Sequence, residues 1–195
     1  MRLIEKSLQS IIELYGTEGT QSVLSKFVCE KNKEVQDFIR NKAIDHEQKR
    51  FAKTILIFDK DADNQIVGFY SISIKSFVLN EKINTDKKKK YFGTSQTNGI
   101  VIPSLLIGQL GRNDSVETGF TGKELMDLIF RYISNVDNLV NSVICYVEHN
   151  GNANLRRFYE TYGFEYFKRS YEENNKKLYC HMIKTSIVVD YVKKQ

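Results

Sequence analysis

A chain of 195 residues is long enough for one globular domain with a sizeable core and short for two. Its 41% hydrophobic and 12% aromatic residues, with a single proline, argue against a disordered chain, and no apolar run approaches the roughly 20 residues of a membrane span. The net charge of +5 suits an anionic partner such as coenzyme A or RNA, yet it falls short of the basic stripe of a dedicated nucleic-acid binder.

The first predicted element lies in residues 1–23, where Leu3, Ile4, Leu8, Ile11, Ile12, Leu14 and Tyr15 recur at spacings of mostly three and four. That periodicity predicts an added N-terminal amphipathic helix ending near Gly16. A second helix is predicted at Lys33–Ala43, with Val35, Phe38 and Ile39 on one face. Thr54–Asp59 and Ile66–Phe77, rich in β-branched and aromatic residues and separated by Asp61-Ala62-Asp63-Asn64, predict an antiparallel hairpin. Asn80–Asn98 is polar, holds the run Lys87-Lys88-Lys89-Lys90, and reads as a long exposed loop.

Strand, helix and strand follow at Ile100–Leu110, Gly122–Val136 and Ser142–Glu148. A short helix at Ala153–Tyr162 is closed by Gly163, and two more strands are expected in Glu165–Tyr171 and Lys177–Thr185. No internal repeat is visible, and the chain reads as a single α/β domain over 1–195. Cys29, Cys145 and Cys180 are odd in number, far apart and without a CxxC pair, so they read as core thiols. Neither HxxxH nor HExxH occurs, and no metal is expected. Met1-Arg2-Leu3-Ile4-Glu5 shows no signal-like apolar region, which together with the cysteines points to a cytoplasmic setting.

Two stretches carry the chemistry. In Val116-Glu117-Thr118-Gly119-Phe120-Thr121-Gly122-Lys123-Glu124 a glycine-bearing turn leaves a strand and opens a helix, exposing backbone N–H groups at the positive end of a helix dipole. A diphosphate fits such a turn, although many ordinary strand-to-helix turns hold two glycines. The three-glycine dinucleotide fingerprint and the GxxxxGK[ST] loop are both missing. The second stretch is Asn152–Phe164, a short capped helix in which Leu155, Phe158 and Tyr159 occupy neighbouring turns.

In this order and spacing the two stretches resemble the GNAT superfamily of acyl-CoA-dependent N-acyltransferases over roughly residues 24–170. The family's [QR]xxGx[GA] turn is matched at Glu117 to Gly122, with a carboxylate where Gln or Arg is usual and Phe120 in the place of a glycine. Its Y-x-x-x-G-F signature is matched by Tyr159 to Phe164. Leu24–Ala43, Gly68-Phe69-Tyr70-Ser71 and Ile102–Leu110 look most like the acetyltransferase toxins of bacterial toxin–antitoxin pairs, with Gln109 where an arginine is common.

The resemblance implies a mixed, mostly antiparallel sheet flanked by helices, with a V-shaped splay between two central parallel strands, Ile102–Arg112 and Ser142–Glu148. It implies that acetyl-CoA binds with its pantetheine arm along the backbone of Leu110, Gly111 and Arg112. The diphosphate would lie on Glu117, Thr118, Gly119, Phe120, Thr121, Gly122 and Lys123, and Asn152 would orient the cofactor. Tyr159, beside the sulfur, would protonate the leaving thiolate after a neutral amine attacks the thioester. Glu148 is the best-placed carboxylate for a base, with His149 adjacent, and both also read as ordinary strand-end residues. His46 and His181 have no motif around them and read as packing residues. The partners implied are an amine acceptor such as an aminoacyl-tRNA, an antitoxin and a second copy of the chain. Acetylation of a small amine or a protein N-terminus, a non-catalytic acyl-CoA-binding module, and a nucleic-acid-binding domain without cofactor are the alternatives.

Overall fold

The computed structural model describes residues 1–79, 83–95, 99–171 and 177–195, and the side chains of these apart from 169–171. In chain order the elements are β1 (Leu3–Ser7), α1 (Leu8–Leu24), α2 (Lys33–Asp37), a π-helical turn (Phe38–Lys42), α3 (Ala43–Gln48), β2 (Lys53–Asp59), β3 (Gln65–Val78), α4 (Thr85–Phe92), β4 (Val101–Arg112), α5 (Gly122–Asp137), β5 (Ile144–His149), α6 (Ala153–Thr161), β6 (Glu165–Tyr171), β7 (Lys177–Lys184) and α7 (Thr185–Lys193). Seven strands form one sheet in the order β1-β2-β3-β4-β5-β7-β6. The β1–β2, β2–β3, β5–β7 and β6–β7 pairs are antiparallel and β4–β5 is parallel. This is the mixed, mostly antiparallel sheet flanked by helices that the sequence predicts.

The chain divides into two compact units, residues 1–73 with 108–129, and residues 74–107 with 130–195. In the first unit, β2 and β3 form the expected hairpin. Its turn holds Asp63 and Asn64 in the left-handed region (φ 50° and 54°), which short polar side chains tolerate best. Above the sheet, Leu8, Leu24, Phe27, Phe38, Ile39, Leu56 and Phe69 build one buried cluster in which the Phe27 and Phe69 rings meet edge to face at 5.2 Å. Buried Glu47 is fully engaged, accepting from Thr54 N–H and Lys53 Nζ at 2.7 Å each.

The N-terminal expectation needs correction at its start. Leu3–Ser7 is a strand, because its backbone pairs with β2 from Leu3 against Asp59 to Ser7 against Ile55. The helix does break at Gly16 as expected (φ 69°), and a second helical segment then runs on to Leu24.

In the second unit the parallel register runs from Ser104 against Ile144 to Ile107 against Val147, and β5 continues to His149. Phe77, Tyr91, Phe92 and Phe167 form an aromatic core, all pairs within 6.3 Å where they meet. Phe130 of α5 sits edge-on to Tyr162 and Tyr191. Cys145 and Cys180 are fully buried and Cys29 nearly so, as expected, and burial pushes the Cys145 and Cys180 thiols up to about 12. The C-terminal helix α7 was not foreseen from sequence.

The long exposed loop expected at Asn80–Asn98 is the other correction. Residues 80–82 and 96–98 lie outside the described ones, but Thr85–Phe92 is a helix. Asn84 caps it by accepting from Asp86 and Lys87 N–H, and Gly93 ends it in the left-handed region. Its lysines are not a uniformly solvated run. Lys87 Nζ donates to the carbonyls of Tyr166 and Phe167, Lys90 pairs with Glu165 at 2.6 Å, Lys88 is fully buried, and Lys89 is exposed. The helix forms because Tyr91 buries its ring against Phe167, and the lysine stems are apolar enough to travel with it.

Candidate active site

In the first unit, β4 leads into the glycine-bearing turn through Asn113, which is 9% exposed. Its Nδ2 donates to Ile66 carbonyl at 2.7 Å, and its Oδ1 accepts from Val28 N–H, Ser115 N–H and the Ser115 hydroxyl. One side chain therefore ties the end of β4 to β3 and to the segment before α2. The turn is pinned again by Arg112, whose Nη1 donates to the Phe120 carbonyl at 2.8 Å.

Phe120 is buried at 2% exposure rather than lining the turn with a small side chain. The room for its ring comes from Gly68 on β3, where a Cβ would stand 2.7 Å from Phe120 Cε1 and 3.1 Å from the Gly111 carbonyl. The Gly68-Phe69-Tyr70-Ser71 stretch thus has a packing reason for its glycine.

The backbone donors expected for a diphosphate are partly engaged. Phe120 N–H donates to Thr118 Oγ1 at 3.3 Å, and Thr121 N–H donates to Glu124 Oε2 at 2.7 Å. Glu124 N–H in turn reaches Thr121 Oγ1, completing a capping box at the start of α5. Glu117, Gly119, Thr121 and Lys123 are exposed, and Lys123 pairs with Asp127 at 2.6 Å. Glu124 holds this turn and is not singled out from sequence, although its T-x-x-E signal is visible at Thr121.

In the second unit β5 ends at Glu148 and His149 and turns into α6. Asn152 caps that helix, its Oδ1 accepting from Asn154 and Leu155 N–H, so the oxygen expected to orient a cofactor is engaged in capping. Tyr159, in the last turn of α6, is 5% exposed, and burial pushes its phenol well above the usual range. No hydrogen bond to its hydroxyl is formed among the described residues. A phenol in this setting is a proton donor at neutral pH, never a resident phenolate. Glu148 is half-buried on β5, opposite Cys180 of β7.

Sequence reasoning missed a histidine pair. His149 and His181, 6% and 1% exposed, face each other from β5 and β7 with Nε2 of the first 3.1 Å from Nδ1 of the second. Gly151 N–H donates to His149 Nδ1 at 3.1 Å, which leaves that nitrogen unprotonated and puts the proton on Nε2. His149 must then donate to His181, so His181 carries its own proton on Nε2, 4.0 Å from Glu160 Oε1 and too far for a hydrogen bond. The single lone pair of His149, on Nδ1, is taken by Gly151 N–H and its Nε2–H by His181, which removes it as a general base in this conformation. Burial first, and the mutual repulsion of the two rings second, lower His149 to about 4, and burial lowers His181 too.

No family model and no curated protein sequence matches the chain. Solved structures do. A bacterial toxin superposes with a TM-score of 0.74 at 13% identity, covering 100% of this chain and 97% of its own. A tyrosine-to-phenylalanine variant of the toxin AtaT, bound to the C-terminus of the antitoxin AtaR and acetyl-CoA, gives 0.65 at 15% identity with 99% of each chain covered. AtaT complexed with acetyl-methionyl-tRNAfMet gives 0.65 at 18% identity, covering 95% of this chain and 96% of that one.

The chain has the fold of these toxins.

At such identities the likeness fixes the fold and leaves the chemistry to this chain's own residues. On this toxin fold, Leu110, Gly111, Arg112 and Glu117–Lys123 lie along one continuous path from β4 to the first turn of α5, within the first unit. Glu148, Asn152 and Tyr159 lie along another, from β5 to α6, within the second. Among the described residues no group of three or more potential ligands could hold a metal ion, and no helix is long and apolar enough to cross a membrane.

Proposed function

We propose that the protein is an N-acetyltransferase that moves the acetyl group of acetyl-CoA to the amino group of an aminoacyl-tRNA. The observation that carries this reading is Tyr159: a buried phenol held protonated, with its hydroxyl unengaged among the described residues, on a helix that carries the Y-x-x-x-G-F pattern. A toxin fold covering 95% and 99% of the chain in two such structures supports it.

Bound acetyl-CoA supplies an activated thioester. The backbone of Leu110 to Arg112 holds the pantetheine arm, and the N terminus of α5 with Lys123 receives the diphosphate. Glu124 must yield its hold on Thr121 N–H for that turn to present all its donors. Glu148 takes the acceptor's proton, and Tyr159 returns one to the thiolate, the roles a base and an acid must fill for direct attack. An antitoxin and a second copy of the chain are the protein partners this reading carries with it, in a cytoplasmic setting.

Glu117 tests the diphosphate placement. Exposed beside the turn, its carboxylate repels an anion by about 1 kcal/mol at screened distances. Glu117→Gln should therefore tighten acetyl-CoA binding about fivefold by calorimetry, and an unchanged Kd would move the diphosphate elsewhere.

The acceptor is tested by incubating the protein with labelled acetyl-CoA and, separately, aminoacyl-tRNA, free amino acids and peptides. Label on aminoacyl-tRNA alone is the expected result. Label only on free amines or peptide N-termini would replace the acceptor. The engaged N–H groups of Phe120 and Thr121 favour one second reading, an acyl-CoA-binding module without turnover, which would show cofactor affinity and no labelled product.

A further inference from the structure

We propose that His149 is a positioning residue for Tyr159, held by His181 as a fixed neutral tautomer, so that the Gly151 N–H to His149 bond sets the geometry of α6. This rests on the reading of Tyr159 as the acid.

The chain of contacts is continuous within one unit. His149 ends β5, and its ring lies against that of Tyr159 at 5.7 Å and against that of Tyr179 at 6.1 Å, with interplanar angles of 34° and 26°. The imidazole is thus tilted against the Tyr159 ring and stacked on the Tyr179 ring. Its Nδ1 takes the N–H of Gly151, a residue at φ 84° whose missing side chain makes room for the Tyr179 ring. Asn152, next in the chain, donates to Asn150 Oδ1 and caps α6. One imidazole therefore fixes both the turn that aims α6 and the ring of the tyrosine that α6 carries.

His181 makes the arrangement one-directional. By accepting from His149 Nε2–H it excludes the other tautomer, in which Nδ1 would carry the proton and meet Gly151 N–H donor to donor. Adding a proton to either ring breaks one of the two bonds. A proton on His181 Nδ1 meets His149 Nε2–H donor to donor and breaks that bond unless His149 shifts its proton to Nδ1, and a proton on His149 Nδ1 expels Gly151 N–H. The charged and titratable groups facing the pair are Glu160 and Arg156 of α6, Tyr159, Tyr179 of β7, Tyr166 of β6, and Lys87 of α4, whose Nζ lies 4.9 Å over the Tyr166 ring. Glu160 favours a proton on the pair, but it is itself paired with Arg156 at 2.8 Å, whose charge opposes it, and burial of the rings outweighs it.

The three histidines make a direct experiment practical. Nitrogen-15 NMR of the full chain at pH 7 should show His149 and His181 both neutral with the proton on Nε2. His149 protonated on Nδ1 would overturn the proposal. Function is then read in two variants. Asn places an oxygen close to where Nδ1 stood and can still accept from Gly151 N–H, whereas Leu cannot. His149→Leu should lower kcat for acetyl transfer to the acceptor at least about tenfold, with acetyl-CoA Kd within about twofold of wild type, and His149→Asn should recover most of that loss. Equal loss in both variants, or no loss in His149→Leu, would overturn the positioning role. If the wild-type chain binds acetyl-CoA without turnover, the reading of Tyr159 as acid fails separately. The Tyr159 ring and Gly151 amide signals then decide: shifted in His149→Leu and restored in His149→Asn upholds the link, unchanged in both refutes it.

Discussion

Tyr159→Phe should lower kcat for acetyl transfer by about a hundredfold or more while acetyl-CoA binds as it does to the wild type. The substitution removes one oxygen from a ring that is 5% exposed and packed against His149, Phe158 and Phe164. Packing is preserved and the proton donor is lost, so the effect should fall on the chemical step, where general acid catalysis contributes roughly 10²–10⁴. Burial keeps the phenol protonated across the neutral range, so the wild-type rate should not fall between pH 7 and 9 through ionisation of Tyr159. Thiol release measured under saturating acetyl-CoA and acceptor reads both points. Turnover unchanged in the variant would remove Tyr159 as the acid.

Gly68→Ala should cost about 2–3 kcal/mol and lower Tm by roughly 5–10 °C, a large effect for one methyl group. The new Cβ would meet the Phe120 ring at 2.7 Å and the Gly111 carbonyl at 3.1 Å, and a buried aromatic ring has little freedom to retreat. Because the Phe120 carbonyl is held by Arg112, displacing the ring also disturbs the turn that opens α5, so acetyl-CoA affinity should weaken alongside stability. A double-mutant cycle isolates the cause. In a Phe120→Leu background the cost of Gly68→Ala should shrink by half or more, and an equal cost in both backgrounds would place the strain elsewhere.

What could be read from the sequence was whatever local pattern dictates. The β2–β3 hairpin announces itself through Asp61 to Asn64, α5 through the spacing of Leu125, Leu128, Ile129 and Ile133, and α6 through its capping asparagine and closing glycine. What escaped depends on partners distant in sequence. Leu3–Ser7 has too few residues for a period to declare itself, and only pairing with β2 makes it a strand. The lysine run in α4 hides a helix because charge masks the burial of Lys88 and the anchoring of Tyr91 on Phe167.

The candidate site divides in the same way. Tyr159 and the glycine-bearing turn are contiguous motifs and could be named. The His149–His181 pair joins residues 32 positions apart, which only the β5–β7 register, Val147 against His181 and His149 against Tyr179, brings together. The burial of Phe120 likewise depends on Gly68, on another strand. Glu124 was the exception, a local capping signal overlooked beside a more conspicuous pair of glycines.

Thermal unfolding with and without acetyl-CoA tests the central claim most directly, since every step proposed for the chain begins with that ligand. At about 100 times Kd a bound ligand adds roughly 2.7 kcal/mol, which raises Tm by about 5–10 °C for a chain of this size. The account predicts a saturable rise of that order, equal in wild type and Tyr159→Phe; no rise at millimolar acetyl-CoA would contradict it.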